Sequence, residues 1–367
     1  MRKILYLFAV STLLLASCEK NGYKITGTVQ GSYDGEKVFL LDRVDRQFVP
    51  VDSAVIADGK FTFEGSQAEP VNRYLTFTDG ENDPIYLDFF LESGNIELFL
   101  AESEEKSTVK GTPVNDVYQS FKNEMFVLQK SLISVYTAIQ DNTITEEDKK
   151  AKITEAEGVR TKMSDVVKKH ITENMNSALG VHLLNANQHN FSYEEIEEYL
   201  KQVPANLQNN KSAVALKGNV EAYNSTTEGK TFVDFEMLTP EGTPIKLSDY
   251  AGKSKLVVVD FWASWCGPCR REMPRLVGLY EKYKDQGLEI VGVSLDSDGE
   301  AWKKGIEQLN ITWPQMSDLK GWNSQGGKLY AIRSIPHVLL LDKNGTIVSR
   351  GLYAEELQAK IEEIMNN

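Results

Sequence analysis

From Tyr23 to about Lys110 apolar residues alternate with polar ones: Tyr23, Ile25, Gly27 and Val29, then Phe61 and Phe63, then Ile85, Leu87 and Phe89, then Ile96, Leu98 and Leu100. A period of two is that of strands with one buried face. The pairs Asp34-Gly35, Asp58-Gly59, Asp79-Gly80 and Ser93-Gly94 separate these runs, and glycine permits the positive φ that tight hairpins require. The pattern predicts a small antiparallel β-sandwich or barrel over residues 18–110. Its acids are scattered on faces expected to meet solvent, so binding or spacing is its default role.

Over 111–225 the period becomes helical. Val117, Phe121, Met125, Leu128 and Leu132 recur at three and four residues, and a second stretch opens at Thr145-Glu146-Glu147 and runs through Ile153 to Ile171. Shorter pieces hold Leu179 to Leu184 and Tyr193 to Leu200. His182 and His189, seven apart and so on one side of a helix, are expected to be surface or capping residues without chemistry. The polar run Asn224 to Gly229 reads as a linker into a last domain, 226–367. There, strands are expected at Leu256 to Phe261, Leu288 to Val293 and His337 to Leu341, with helices around Gly267 to Tyr283 and Ala301 to Leu309. Asn344-Gly345 should turn a hairpin into Thr346 to Ser349, and Ala354 to Ile364 should close as a helix. Strand and helix in alternation imply an α/β sheet.

The first residues have another purpose. Arg2 and Lys3 precede the apolar run Ile4 to Leu15, too short for a permanent transmembrane helix and laid out as a secretory signal over 1–17. Leu15-Ala16-Ser17-Cys18 then resembles a bacterial lipobox, which implies cleavage before Cys18 and lipidation of it. The mature chain is expected on the periplasmic side of the cell envelope, anchored by lipid and not spanning the membrane. Arg2 and Lys3 leave with the signal and no acid does, so the net charge moves from −13 to −15. Nucleic acid is excluded as a partner, because phosphate binding needs concentrated Lys and Arg.

The densest chemistry lies in Trp265-Cys266-Gly267-Pro268-Cys269. Two thiols three apart, where the apolar run Leu256 to Trp262 gives way to a helix, can pass between dithiol and disulfide. A thiol in the first helical turn meets unpaired N–H groups and the positive end of the macrodipole, which favour thiolate. Cys266 is therefore the expected nucleophile and Cys269 the resolving thiol. A zinc site would need further ligands, but the third cysteine is Cys18 and the histidines, His170, His182, His189 and His337, have no paired metal spacing near the motif. A purely structural bridge would close too short a loop to constrain the unfolded chain much. No metal or other cofactor is expected beyond the redox-active Cys266–Cys269 disulfide.

Residues 232–365 are similar to thioredoxin-fold domains of the TlpA/ResA type. The likeness rests on Val259-Asp260-Phe261-Trp262-Ala263-Ser264-Trp265-Cys266-Gly267-Pro268-Cys269, on Pro274 inside the following helix, and on the opening strands from Phe232-Val233-Asp234-Phe235 through Lys246-Leu247-Ser248-Asp249-Tyr250 to Gly252-Lys253. The 67 residues from Cys269 to Pro336 leave room for the extra strand and helix of that branch. The β region resembles the DUF4369 module of Bacteroidetes lipoproteins, through Asp58-Gly59-Lys60-Phe61 and Phe90 to Gly94.

The resemblance assigns further roles. Ile335-Pro336 matches the family's cis-proline dipeptide, placing it across from Cys266 where the Ile335 backbone could pair with an extended substrate. Trp265, Gly267 and Pro268 join Ile335 and Pro336 as expected substrate contacts. Asp260, at the end of a buried strand, should have a raised pKa and take a proton from Cys269 during resolution. The lysine that thioredoxins usually keep near this acid is missing from Glu289-Ile290-Val291-Gly292-Val293.

Together these imply a reductase of disulfide-containing client proteins, among them cytochrome c precursors, supplied by a membrane thiol donor. The Gly-Pro between the cysteines is the pair of reducing thioredoxins, whose potentials lie near roughly −270 mV. Two other readings compete: a copper-handling chaperone using His337, although such proteins usually space their cysteines by three, and an envelope binding protein whose redox domain serves one partner. A peroxidase reading lacks the expected threonine-to-cysteine spacing.

Overall fold

The computed structural model describes residues 21–44, 47–77, 84–141 and 143–366. The signal at 1–17, Cys18 and the Asp79-Gly80 turn lie outside them. The chain divides into two compact units between Leu183 and Leu184.

In the first unit the strands are β1 (Gly22–Val29), β2 (Lys37–Val44), β3 (Gln47–Val55), β4 (Lys60–Ser66), β5 (Val71–Phe77), β6 (Ile85–Leu91), β7 (Gly94–Leu100) and β8 (Thr108–Lys110). They form two sheets, ordered β4-β1-β7-β8 and β3-β2-β5-β6. Ile25, Phe61, Phe63, Ile96 and Leu98 of one sheet meet Val38, Leu40, Leu75, Leu87 and Phe89 of the other in one core, as in a sandwich. The expectation of an antiparallel sandwich needs one correction, since β1 and β7 are parallel, with Ile25 opposite Ile96. The cause is the turn at Ser93-Gly94. It carries the chain from one sheet to the other instead of closing a hairpin, so β7 arrives alongside β1 in the same direction. At Asp58-Gly59 both residues have positive φ, +50° and +67°, as a tight two-residue turn demands.

Helices α1 (Pro113–Ile139) and α2 (Glu146–Asn174) follow, then α3 (Ala178–Ala186). Of the expected α1 stripe Phe121 is buried and Met125, Leu128 and Leu132 are half-buried, but Val117 is exposed and Tyr118 beside it is buried instead. Asn115 fixes this face by accepting from Phe90 N at 2.8 Å and donating to Phe90 O at 2.7 Å. Tyr118 then stands edge-on to Phe90 at 5.3 Å and donates to Asp88. His182 is not a surface residue, because its ring packs edge-on to Phe90 at 5.4 Å and Tyr118 at 6.2 Å. Nor does it share a helix with the exposed His189, which lies in a separate short turn after α3 ends.

The second unit takes in α4 (Tyr193–Leu200) and α5 (Lys211–Ser225) before the α/β part. β9 (Glu236–Leu238) and β10 (Pro244–Lys246) form a small hairpin. They are followed by β11 (Leu256–Trp262), α6 (Gly267–Tyr283), β12 (Leu288–Ser294), α7 (Gly299–Gln308), β13 (Gln315–Met316), α8 (Gln325–Leu329), β14 (His337–Asp342), β15 (Ile347–Arg350) and α9 (Ala354–Asn366). The sheet order is β13-β12-β11-β14-β15, with β12 parallel to β11 and β13, and β14 antiparallel to β11 and β15. All seven residues of central β11 are buried, which is why that run is continuously apolar apart from Asp260. This is a thioredoxin fold.

The compact unit reaches back to Leu184, with α4 and α5 tied to the α/β part. Tyr193 donates to Ala331 O at 2.6 Å and stacks on Tyr223 at 4.1 Å. The stretch read as a linker is docked as well. Thr226 is fully buried, and Arg350 Nη1 donates to its carbonyl and hydroxyl oxygens at 2.9 and 3.0 Å.

Candidate active site

β11 ends at Trp262 and α6 starts at Gly267, so four residues make the turn that carries the motif. Cys266 is the N-cap of α6. Extended φ and ψ of −79° and 100° let its Sγ accept from Cys269 N at 3.1 Å. Serine or aspartate does this at most N-caps; a sulfur here is solvated by the same N–H, which in the reduced protein favours thiolate over thiol. Pro268 occupies the second helical position, where a missing N–H costs nothing. The two cysteines are joined as a disulfide with Cα atoms 5.3 Å apart. Both are buried, Cys269 (2% exposed) slightly more than Cys266 (5%). Trp265, by contrast, is 54% exposed and leans toward Trp322, ring centres 6.2 Å apart.

Ile335-Pro336 is cis, and the Ile335 carbonyl oxygen lies 3.7 Å from Cys266 Sγ. A backbone segment ending on this loop thus sits against the outer sulfur. Pro274 falls inside α6 and removes one of its backbone donors.

Asp260 pairs in the sheet with Gly292 on one side and Val338 on the other, so no cation is opposite it. Asp260 is 2% exposed and its Oδ2 has no hydrogen-bond partner among the described residues. Burial first, and the negative charge of Glu272 second, push its pKa up to about 7. At neutral pH it is therefore poised between acid and base.

Glu272 escaped the sequence reading. It lies three residues after Cys269 on α6, is buried, and pairs with Arg275 Nε at 3.2 Å. Desolvation raises its pKa and Arg275 opposes that. The signal existed: Cys269, Glu272, Met273 and Leu276 share one buried helical face, although Arg270-Arg271 beside Glu272 made it resemble a solvated charge. Asp296 was missed too. Buried at the end of β12, it accepts from Ser264 N at 2.9 Å, Ser264 Oγ at 2.6 Å and Ser294 Oγ at 2.7 Å, and so pins the turn before Cys266. No spacing rule in the chain links Ser264 to Asp296.

The arrangement can perform dithiol–disulfide exchange: an outer sulfur at a helix mouth, an inner sulfur one turn on, and a buried carboxyl able to hold a proton. Residues 229–350 match the AhpC/TSA family, and residues 23–118 match the domain of unknown function DUF4369. The thiol-disulfide oxidoreductase ResA of Bacillus thuringiensis subsp. konkukian is 33% identical over 140 residues, 37% of this chain and 76% of that protein. ResA of Geobacillus kaustophilus is 34% identical over 139 residues, 37% of this chain and 77% of that protein. A solved thioredoxin domain of a thiol-disulfide oxidoreductase from Bacteroides vulgatus is 34% identical, covering 38% of this chain and 99% of its own, with a TM-score of 0.36. A third of positions identical across three quarters of ResA, on a fold that carries the cysteine pair at a helix mouth, make this chain a member of the ResA family of thiol-disulfide oxidoreductases.

Proposed function

We propose that the protein reduces disulfides of client proteins outside the cytoplasm, tethered to a membrane by lipid on Cys18, with Cys266 and Cys269 exchanging electrons. In the reduced protein the Cys266 thiolate attacks one sulfur of a client disulfide, and the other client sulfur leaves as thiolate and is protonated. Cys269, deprotonated with Asp260 as acceptor, then attacks Cys266 Sγ. The second client sulfur leaves, the client departs as dithiol, and two electrons have left the pair, which closes as the Cys266–Cys269 bridge. A membrane dithiol donor reopens it by the same chemistry in reverse. Trp265, Gly267, Pro268, Ile335 and Pro336 form the surface against which the client lies, Ile335 through its backbone. Clients include cytochrome c precursors.

The observation that carries this reading is the contact of Cys266 Sγ, at the α6 N-cap, with the Ile335 carbonyl. Among the described residues no helix is long and apolar enough to cross a membrane. Replacement of the resolving thiol tests the mechanism. Cys269→Ala should accumulate mixed disulfides through Cys266 when expressed in the native cell envelope, and reduction should release thiol-bearing clients. If Cys269→Ala captures no protein that a Cys266→Ala, Cys269→Ala double variant also fails to capture, the exchange reading is wrong.

A further inference from the structure

A pocket of about 300 Å³ shares the cis-proline loop with the active site. Ser334 and His337, which flank Ile335-Pro336, lie in its wall opposite Tyr193 of α4 and Tyr223 of α5. Two guanidiniums complete it. Arg333 sits 3.9 Å from the centre of the Tyr193 ring, Tyr193 stacks on Tyr223, and Arg350 sits 4.7 Å from the centre of the Tyr223 ring. The result is a four-layer stack of cation, ring, ring and cation.

The hydrogen bonds of both cations go to uncharged oxygens. Arg333 Nη1 donates to Gln188 O at 2.7 Å, and Arg350 donates to Thr226 and, through Nη2, to Tyr330 O at 2.9 Å. An arginine carries five donors, so unspent N–H groups remain on each. Among the described residues neither is ion-paired to a carboxylate; Glu194, the acid at the pocket's edge, is exposed and bonded to neither. His337 adds polarity without charge. Burial, reinforced by Arg350 and then Arg333, lowers its pKa to about 4, and its buried Nε2 has no partner. Two guanidiniums at the two ends of this stack, neither with a counter-ion among the described residues, in a chain of net charge −13, leave a place for an anion.

The location says whose anion. Ile335 O touches Cys266 Sγ, and Ser334 is one peptide away, about 3.8 Å between Cα atoms. A client strand on this loop advances about 3.3 Å per residue, so a side chain within a few residues of its half-cystine reaches the pocket.

We propose that the Arg333–Arg350 pocket binds a client carboxylate, an Asp or Glu side chain close in sequence to the cysteine that Cys266 attacks. This rests on the exchange reading above and adds the substrate class to it. The test uses the reduced full-length protein and two disulfide-bonded peptides that differ only by Glu or Gln two residues from the reacting cysteine. The Glu peptide should react with a kcat/KM about tenfold higher, mainly through KM. Free succinate should compete with the Glu peptide selectively. Arg333→Gln should bring the ratio between the peptides to about one, and Arg333→Lys, which keeps the charge, should restore part of it. Equal nonzero rates for the two wild-type reactions, or a ratio that survives Arg333→Gln, would overturn the proposal. So would succinate binding without any peptide preference, which would make the pocket a site for free anions. If neither peptide is reduced, the exchange reading itself fails and the inference with it.

Discussion

Asp260 is a buried carboxyl six residues before Cys266, and the proposed resolution step depends on it. A carboxyl whose pKa lies near 7 in the folded protein and near 4 in the unfolded one binds its proton more tightly when folded. Stability from this group is therefore complete below about pH 4, falls as pH rises, and is fully lost above about pH 7. The span corresponds to about 4 kcal/mol at most, at 1.36 kcal/mol per pKa unit. Asp260→Asn should flatten that slope, so denaturant midpoints at pH 5 and pH 8 should come much closer together than in the parent. In rapid-mixing experiments the same variant should slow release of the mixed disulfide and erase an inflection near pH 7; an unaltered pH profile would remove Asp260 from the mechanism. Cys266, Cys269 and Asp260 were singled out because each stands out against its surroundings, thiols at a fixed spacing and an acid ending an apolar run, whereas Ile335-Pro336 came from the family resemblance alone, since a proline opening a strand is ordinarily trans. Glu272 and Asp296 were not, since what distinguishes them is burial, and burial of an acid on a charged-looking segment depends on tertiary packing.

At the scale of elements, the turn between β11 and α6 is held from below by Asp296, whose three acceptor contacts reach Ser264 and Ser294. Asp296→Ala would strand these donors in a buried place, at a cost of about 3 kcal/mol. A fall in melting temperature of about 10 °C should follow for a unit of this size, and the freed turn should make Cys266 alkylate faster in the reduced protein. An unchanged melting temperature would mean that the turn holds itself. Periodicity located α4, α6, α7, α9 and strands β11, β12, β14 and β15 to within about two residues, because buried strands and amphipathic helices leave strong local signals, but α5, α8 and the short strands β9, β10 and β13 were not located by it. It could not say which strands pair. The alternation in Tyr23 to Val29 gives a face and not a neighbour, so the parallel β1–β7 ladder had no local signature. The exchange of Val117 for Tyr118 at the start of α1 has a related cause: the Asn115 bonds to Phe90, rather than apolar spacing, hold that end of the helix.

For the whole molecule, the functional unit is larger than its motif. A fragment starting at Thr226 would lose the Tyr193–Ala331 bond, the Tyr193–Tyr223 stack and the ring partners of Arg333 and Arg350. A fragment starting at Leu184 keeps them. The longer fragment should melt about 10 °C higher, given a few kcal/mol of lost contacts, and equal melting temperatures would show that α4 and α5 add nothing to the fold. Attachment is tested separately: Cys18→Ala should move the protein from the membrane fraction to the soluble one, and retention in the membrane would dispose of the lipid tether.

The parallel seating of β1 also dictates an order of assembly. Tyr23 lies opposite Gly94, 71 residues later, and opposite Gly65 on its other side. A chain delivered amino end first thus presents its earliest strand long before either neighbour has been made. One flank of β1 can be covered once Ser66 has emerged, but the flank that β7 takes stays open until Leu100 is made, so the first strand waits for the last of its sheet partners to bury Ile25 and Val29 from both sides.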